Sequence, residues 1–219
     1  MGLEVYDHTA ISSIVHKDRH IELTTKDKCK ISARKVVMAC GYESSAWLPK
    51  RVDQLSTTYT IVSEPFQDKM LWHKNAMIWE TARPYLYIRT TQDHRIMVGG
   101  KDDEFSGAWK RQQQLPVKVR SLEKASQALF PHIRWKTDFY WAGLFAGTKD
   151  GLPYIGTLPQ RNNMYFALGF GGNGIVFSQI AATLVRDSIT GKRTLTAACS
   201  ALTDRCRHYT LTPPGLVFA

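Results

Sequence analysis

The stretch ALGFGGNGIVF, residues 167–177, sets four glycines in six positions between two apolar runs. Glycine loses more conformational freedom on folding than any other residue, so such a cluster marks backbone that must turn sharply or lie close to another group. The preceding NMYFALG reads as an apolar strand. After the glycines, Ile175, Phe177, Ile180, Leu184 and Val185 predict a largely buried helix that ends near Thr190 and Gly191. Strand, glycine turn and helix together present backbone N–H groups at a helix N-terminus, where the dipole favours negative charge. The string therefore predicts an anion or oxyanion site around Gly171–Ile175, with a tight strand-to-helix turn as the plainer alternative. It matches neither GxGxxG in its usual setting nor GxxxxGK[ST].

Upstream, the chain changes character twice. LEVY, AISSIV and HIELTT are β-rich and separated by polar turns. In ARKVVMACGYESS the apolar run Val36–Cys40 predicts a strand buried on both faces, hence a parallel sheet. Gly41 follows it, at the strand end where open α/β sheets bind ligands. The middle segments TTYTIVSE, AMIWE, PYLYIRT and RIMVGG are short strands of a second, more antiparallel sheet, and IRTTQDHRI reads as a hairpin turning through Gln92, Asp93 and His94. VKVRSLEKASQALFP carries Val119, Leu122, Ala125 and Leu129 at helical spacing, and Pro131 closes that helix. DFYWAGLFA is a further strand, leading into a turn-rich loop, GTKDGLPYIG.

Composition removes several classes. A hydrophobic content of 43% with 22% charged residues suits a chain with a real core and argues against bulk disorder. No apolar run approaches the ~20 residues of a membrane-spanning helix, and MGLEVYDHTA has neither the basic nor the apolar region of a signal peptide and is a poor myristoylation match. Cys29, Cys40, Cys199 and Cys206 form no CxxC pair and read as reduced thiols in a cytoplasmic protein, with nothing to argue for a Cys199–Cys206 bridge. The net charge of +10 is scattered and mixed with acids, with no nucleic-acid signature, so it reads as a basic surface that attracts anionic ligands. The histidines, including His73, His94 and His132, show no metal-ligand spacing, and no nucleophile elbow appears.

Three segments occur in a recognisable order: RKVVMACGYESSAWLP, WAGLFAGTKDGLPYIGTLP and NMYFALGFGGNGIVFSQIAATLVRDSITGK. Together they resemble the C-terminal half of the FAD-dependent amino acid and amine oxidases, a family that includes glycine oxidase, sarcosine oxidase and D-amino-acid oxidase. The resemblance covers roughly residues 2–195, and TKDGLPYIG, Thr148–Gly156, is its most specific part. It implies a mixed α/β fold: the C-terminal part of a FAD-binding Rossmann-like domain plus an antiparallel-sheet substrate domain. On that pattern residues 1–50 are a remnant of the FAD-binding domain and 51–137 are the substrate domain, roofing the flavin. Residues 138–195 return to the FAD-binding domain, and 196–219 form an irregular tail. The resemblance implies that the flavin ring lies against Gly171, Gly172, Asn173, Gly174 and Ile175, whose N–H groups stabilise negative charge on the reduced ring. It further places Cys40 and Gly41 near the nucleotide half, Ile11 on the adenosine side through its backbone, and Leu144 with its following loop near the ring.

The chain also departs from that family. No GxGxxG with a later acidic residue is found in it, so the resemblance places its start near the middle of a full-length member. The expectation is a portion of an enzyme that oxidises the C–N bond of an amine or amino acid by hydride transfer to FAD, incomplete alone. The alternative is a non-catalytic fragment or assembly module completed by a separate N-terminal GxGxxG chain. In either case uncovered sheet edges are predicted pairing sites. Sarcosine-oxidase-like members attach flavin through a cysteine where this chain has Gly143, so non-covalent FAD is expected. Glycine-oxidase-like members carry a carboxylate-clamping Arg where this chain has Phe145. Arg89 on PYLYIRT, on the same strand face as Tyr87, is the candidate replacement; the pair reads equally as solvent-facing. Trp141 is expected in the core, and Lys149 and Asp150 are expected to order their loop.

Overall fold

The structure is a computed structural model that describes residues 3–48, 52–67, 71–158 and 161–192. In chain order its strands are β1 (Ile11–His16), β2 (Ile21–Thr25), β3 (Lys30–Ala33), β4 (Val36–Met38), β5 (Gln54–Ser63), β6 (Ile78–Trp79), β7 (Leu86–Thr90) and β8 (Ile96–Glu104). The helix α1 (Ala108–Leu129) follows, then β9 (Thr137–Gly147), β10 (Tyr154–Leu158), β11 (Arg161–Leu168) and the helix α2 (Gly174–Thr190). The chain divides into two compact units, residues 1–53 with 148–219, and residues 54–147.

The first unit holds two small sheets. β1, β2 and β3 form an antiparallel meander, and the second sheet has the order β10-β11-β4. Within it β10 and β11 are antiparallel, whereas β11 and β4 run parallel, with Phe166 opposite Met38. Strand side chains alternate in direction, and the sequence uses both faces of β10 and β11. One set, Tyr154, Leu158, Met164, Phe166 and Leu168, packs with Ile21 and Met38. The other, Ile155, Tyr165 and Ala167, packs on Ala181, Leu184 and Val185 of α2. Gly191 ends α2 in the left-handed conformation that glycine tolerates.

In the second unit β6-β7-β8-β5-β9 form an antiparallel sheet with α1 against one face. Tyr59 and Ile61 of β5, Leu86 and Ile88 of β7, and Ile96 and Val98 of β8 meet Leu115 and Leu122 of α1. The hairpin between β7 and β8 is closed where His94 N–H donates to Thr91 O and Thr91 N–H to Arg95 O.

Several expectations are corrected. Leu3–Tyr6 is irregular, with Leu3, Val5 and Tyr6 exposed, so its β-rich composition finds no partner strand among the described residues. The strand predicted through Cys40 stops at Met38, and it is parallel but not buried on both faces: Val37 is 46% exposed. α2 is buried only in its second half; Ile175 is 89% and Val176 60% exposed, because the sheet supports the helix only from Ala181 onward. α1 begins eight residues before Pro116, which lies inside it on an exposed face. The missing Pro N–H costs one helical bond, yet Leu115, Leu122 and Ser126 are buried and keep the helix continuous. The loop read as GTKDGLPYIG contains the start of β10. Residues 138–147, expected to return with the closing segment, lie in β9, registered along β5 from Gln54↔Gly147 to Val62↔Phe139. Trp141, expected in the core, is 43% exposed on the sheet face away from α1. Cys29 and Cys40 are free and exposed; Cys199, Cys206 and the predicted tail lie outside the described residues.

Candidate functional site

The turn that joins β11 to α2 is built from its glycines. Gly169 has φ +77°, and a Cβ there would lie 2.6 Å from Thr148 Cγ2, so both conformation and space demand glycine. Gly171 has φ +53°, and Asn173 N–H closes the turn on Phe170 O at 3.0 Å. The first helical bond runs from Phe177 N–H to Asn173 O, 3.0 Å. Asn173 occupies the N-cap without making a side-chain cap hydrogen bond. The N–H groups of Gly174, Ile175 and Val176 therefore have no intrahelical acceptor. Around them the space is open: a Cβ on Gly171, Gly172 or Gly174 would meet nothing within 4 Å. The positive end of the α2 dipole lies at this turn.

Parallel pairing brings a second predicted group to the same sheet edge. Because β4 and β11 run in the same direction with Met38 opposite Phe166, Cys40 and Gly41 leave β4 at the edge where Gly169–Gly174 leave β11. That is the carboxyl end of a parallel pair, where α/β sheets receive ligands. Cys40 N–H donates to the buried Ser44 Oγ (3.0 Å), which holds the segment after β4 in a short 3-10 turn of residues 41–47. Gly41 has φ +60° with nothing within 4 Å of its missing Cβ. Next to this edge, Asp150 Oδ1 accepts from Leu152 N–H (3.1 Å) and Thr148 Oγ1 (3.2 Å), so Asp150 orders its loop as expected. Ile11 opens β1 in the other sheet, opposite Thr25 at a register irregularity, and strand pairing does not bring it to this edge.

The remaining predicted residues lie in the second unit. Tyr87 stands on the sheet face away from α1, and its hydroxyl lies 3.3 Å from Thr58 Oγ1 and 3.5 Å from Thr60 Oγ1. Its ring crosses β8 at Gly99, where a Cβ would collide with it. Arg89 shares that face by alternation and is exposed. Phe145, opposite Ser56, shares it too, as do Gly143 and Trp141 opposite Thr58 and Thr60. Leu144, expected near the flavin ring, is opposite Thr57 and is turned to the other face of β9 from Phe145, expected at the substrate. Tyr59, also on the α1 side, donates to Asp103 Oδ2 and Gln114 Oε1, both 3.2 Å. Burial first, then the Asp103 charge, pushes its phenol up to about 12. Sequence reasoning missed Thr58 and Thr60 beneath Tyr87, although the alternation in TTYTIV carried the signal. It also missed Asp102, which lies in a β8 irregularity between Gly100 and Asp103 that no local pattern encodes. Burial and the Asp102 carboxylate raise the Tyr85 phenol above its ordinary value.

Among the described residues no group of three His, Cys, Asp or Glu side chains is placed to hold a metal ion. No described helix is long and apolar enough to cross a membrane. Comparison with known proteins adds the following. The family profile described as FAD dependent oxidoreductase matches residues 1–188. The glycine oxidase of Bacillus subtilis (strain 168) is 27% identical over 194 residues, which are 88% of this chain and 50% of that protein. The glycine oxidase of Geobacillus kaustophilus (strain HTA426) is 31% identical over 208 residues, covering 88% of this chain and half of that one. Among solved structures, the iminodiacetate oxidase of Chelativorans sp. BNC1 superimposes with a TM-score of 0.69 at 17% identity, over 85% of this chain and 50% of that one. The chain thus spans about half the length of the curated relatives it matches.

Proposed function

Since the chain belongs to the DAO family of FAD dependent oxidoreductases, we propose that it is the flavin-facing portion of an enzyme that oxidises the C–N bond of an amine or amino acid. One observation carries this reading: the uncapped head of α2, three amide donors with open space around the glycines that precede them.

The donor set fits a flavin. Its electron-rich edge is an acceptor, and the N–H groups of Gly174, Ile175 and Val176 are donors without an intrahelical acceptor, at the positive end of the helix dipole. Gly171 and Gly172 leave room for a planar group where any larger residue would project a side chain. Cys40 and Gly41 present the same sheet edge to the nucleotide half. When bound, FAD supplies the hydride-accepting chemistry. The chain's own contribution is electrostatic: fixed amide dipoles that favour added negative charge and need no reorganisation. Tyr87, Arg89 and Phe145 form the substrate-contacting set on one sheet face, with Phe145 supplying apolar contact in place of a cationic clamp. Gly143 has no side chain to bond a cofactor, so the flavin is held non-covalently.

A second reading has one observation in its favour. Val37 shares a sheet face with the buried Tyr165 yet is 46% exposed, on the strand that ends the sheet among the described residues. A separate GxGxxG-bearing chain that pairs along β4 would bury it. FAD titration, followed by flavin absorbance, tests both readings. The expected result is weak binding by the chain alone, a yellow complex with a GxGxxG-bearing polypeptide, and loss of flavin in Gly174→Val with the fold intact. Undiminished flavin binding by Gly174→Val, or none in either setting, sinks the first reading.

A further inference from the structure

In the second unit, one oxygen of Asp102 is buried without a hydrogen-bond partner among the described residues. Its neighbour Asp103 is turned the other way and is paired with Lys118 of α1 and with Tyr59. Asp102 lies beside Tyr85: Lys101 N–H donates to Tyr85 O at 3.3 Å and Leu86 is registered opposite Gly100, and the phenol has at most one proton to offer a carboxylate with several acceptor sites. A buried carboxylate oxygen without a donor is costly, so this position calls for one. The surroundings say which kind. Tyr85 is the middle ring of three: Trp79 lies 6.0 Å from it at 60°, and Tyr87 6.1 Å at 43°. Ring faces attract cations and offer nothing to anions. The chain demonstrates the preference, since the exposed Arg83 rests its guanidinium 4.8 Å over the Tyr85 ring. Gly100 makes the arrangement feasible, because a Cβ there would collide with Tyr85 O.

The geometry points to an alkylammonium-binding site formed by Asp102, Trp79, Tyr85 and Tyr87, in which the exposed Arg83 is a displaceable internal competitor. An ammonium brings three N–H donors for the carboxylate and a compact charge for the ring faces. A metal ion is a poor fit, because a single carboxylate among aromatic rings lacks the oxygen donors that hard cations require. The inference rests on the oxidase reading for its biological meaning: the substrate would be recognised as an amine through its positive charge rather than as an amino acid through its carboxylate. That agrees with apolar Phe145 on the same sheet. Binding itself requires no flavin, so the two can be tested apart.

The experiment is an NMR titration of the purified chain, following the Trp79 indole N–H, with n-butylammonium chloride and sodium butyrate at matched ionic strength. The expected result is saturable butylammonium binding in the millimolar range, with no response to butyrate. Asp102→Asn, nearly isosteric, should weaken butylammonium at least about tenfold, the consequence of losing a charge-assisted partner. Glu104→Gln, an exposed carboxylate on the same strand, should leave it unchanged, and Arg83→Ala should tighten it a few-fold by removing the competitor. Equal binding of butyrate, undiminished binding by Asp102→Asn, weaker binding by Arg83→Ala, or no saturable butylammonium response would each overturn the site. FAD binding without ammonium binding overturns this inference alone. Ammonium binding without FAD binding overturns the oxidase reading alone.

Discussion

Gly169 and Tyr59 show what single residues do here. Gly169→Ala must place a Cβ 2.6 Å from Thr148 Cγ2 at φ +77°, so both terms act against it. A loss of about 1–3 kcal/mol is expected, read from the urea midpoint. Gly174 has neither constraint, so Gly174→Val should leave stability nearly unchanged while removing flavin. The contrast separates a glycine kept for folding from one kept for a ligand. Tyr59→Phe loses two hydrogen bonds at a buried position and should cost about 1 kcal/mol near neutral pH. Its pH dependence has a definite sign. The folded-state value is about 12 against an ordinary 10, so the folded state keeps a proton that the unfolded chain releases first. The contribution is complete below pH 10 and is lost as pH climbs from 10 to 12. Urea midpoints should therefore fall more steeply over that range in the parent protein than in Tyr59→Phe.

At the level of elements, α1 and α2 show how packing outranks local preference. Helical spacing placed α1 correctly after Pro116 but could not extend it back to Ala108, since proline ordinarily stops a helix. The buried Leu115 and Leu122 on either side keep it intact. Pro116 is exposed, so Pro116→Ala restores the missing bond without disturbing the core. It should raise stability by about 1–2 kcal/mol, below the ~3 kcal/mol intrinsic helix penalty because proline also restricts the unfolded chain. In α2 the periodicity was read well, but Ile175, expected on the buried face, stands in solvent at the helix head together with its neighbour Val176. That departure from the helix pattern coincides with the glycine turn, where a ligand rather than a sheet is expected to cover them. The β7–β8 hairpin was legible from IRTTQDHRI because its signal is local. The five-stranded order β6-β7-β8-β5-β9 was not, because β5 pairs with β9 across some eighty residues of chain.

For the whole molecule, the core of the second unit and those of the first are separate sets of residues. Leu122 has no exposed surface and anchors α1 to the sheet, so Leu122→Ala should cost about 2–5 kcal/mol. Hydrogen exchange should show the lost protection concentrated in residues 54–147. Spread evenly over both units, it would mean that the two unfold as one. What the amino-acid order determined by itself was local and periodic: an apolar strand into glycines into a helix, Gly41 after a strand that proved parallel, a hairpin at Gln92–His94, and a family pattern strong enough to imply FAD. These follow from backbone preference and side-chain spacing within a few residues. Tertiary structure alone decided which apolar residues are covered. It also turned Leu144 away from Phe145, laid Tyr87 across Gly99 onto Thr58 and Thr60, and set Asp102 beside Tyr85. Each of these depends on strand register between segments distant in the chain, and a one-residue slip in register would reverse the face of every side chain involved.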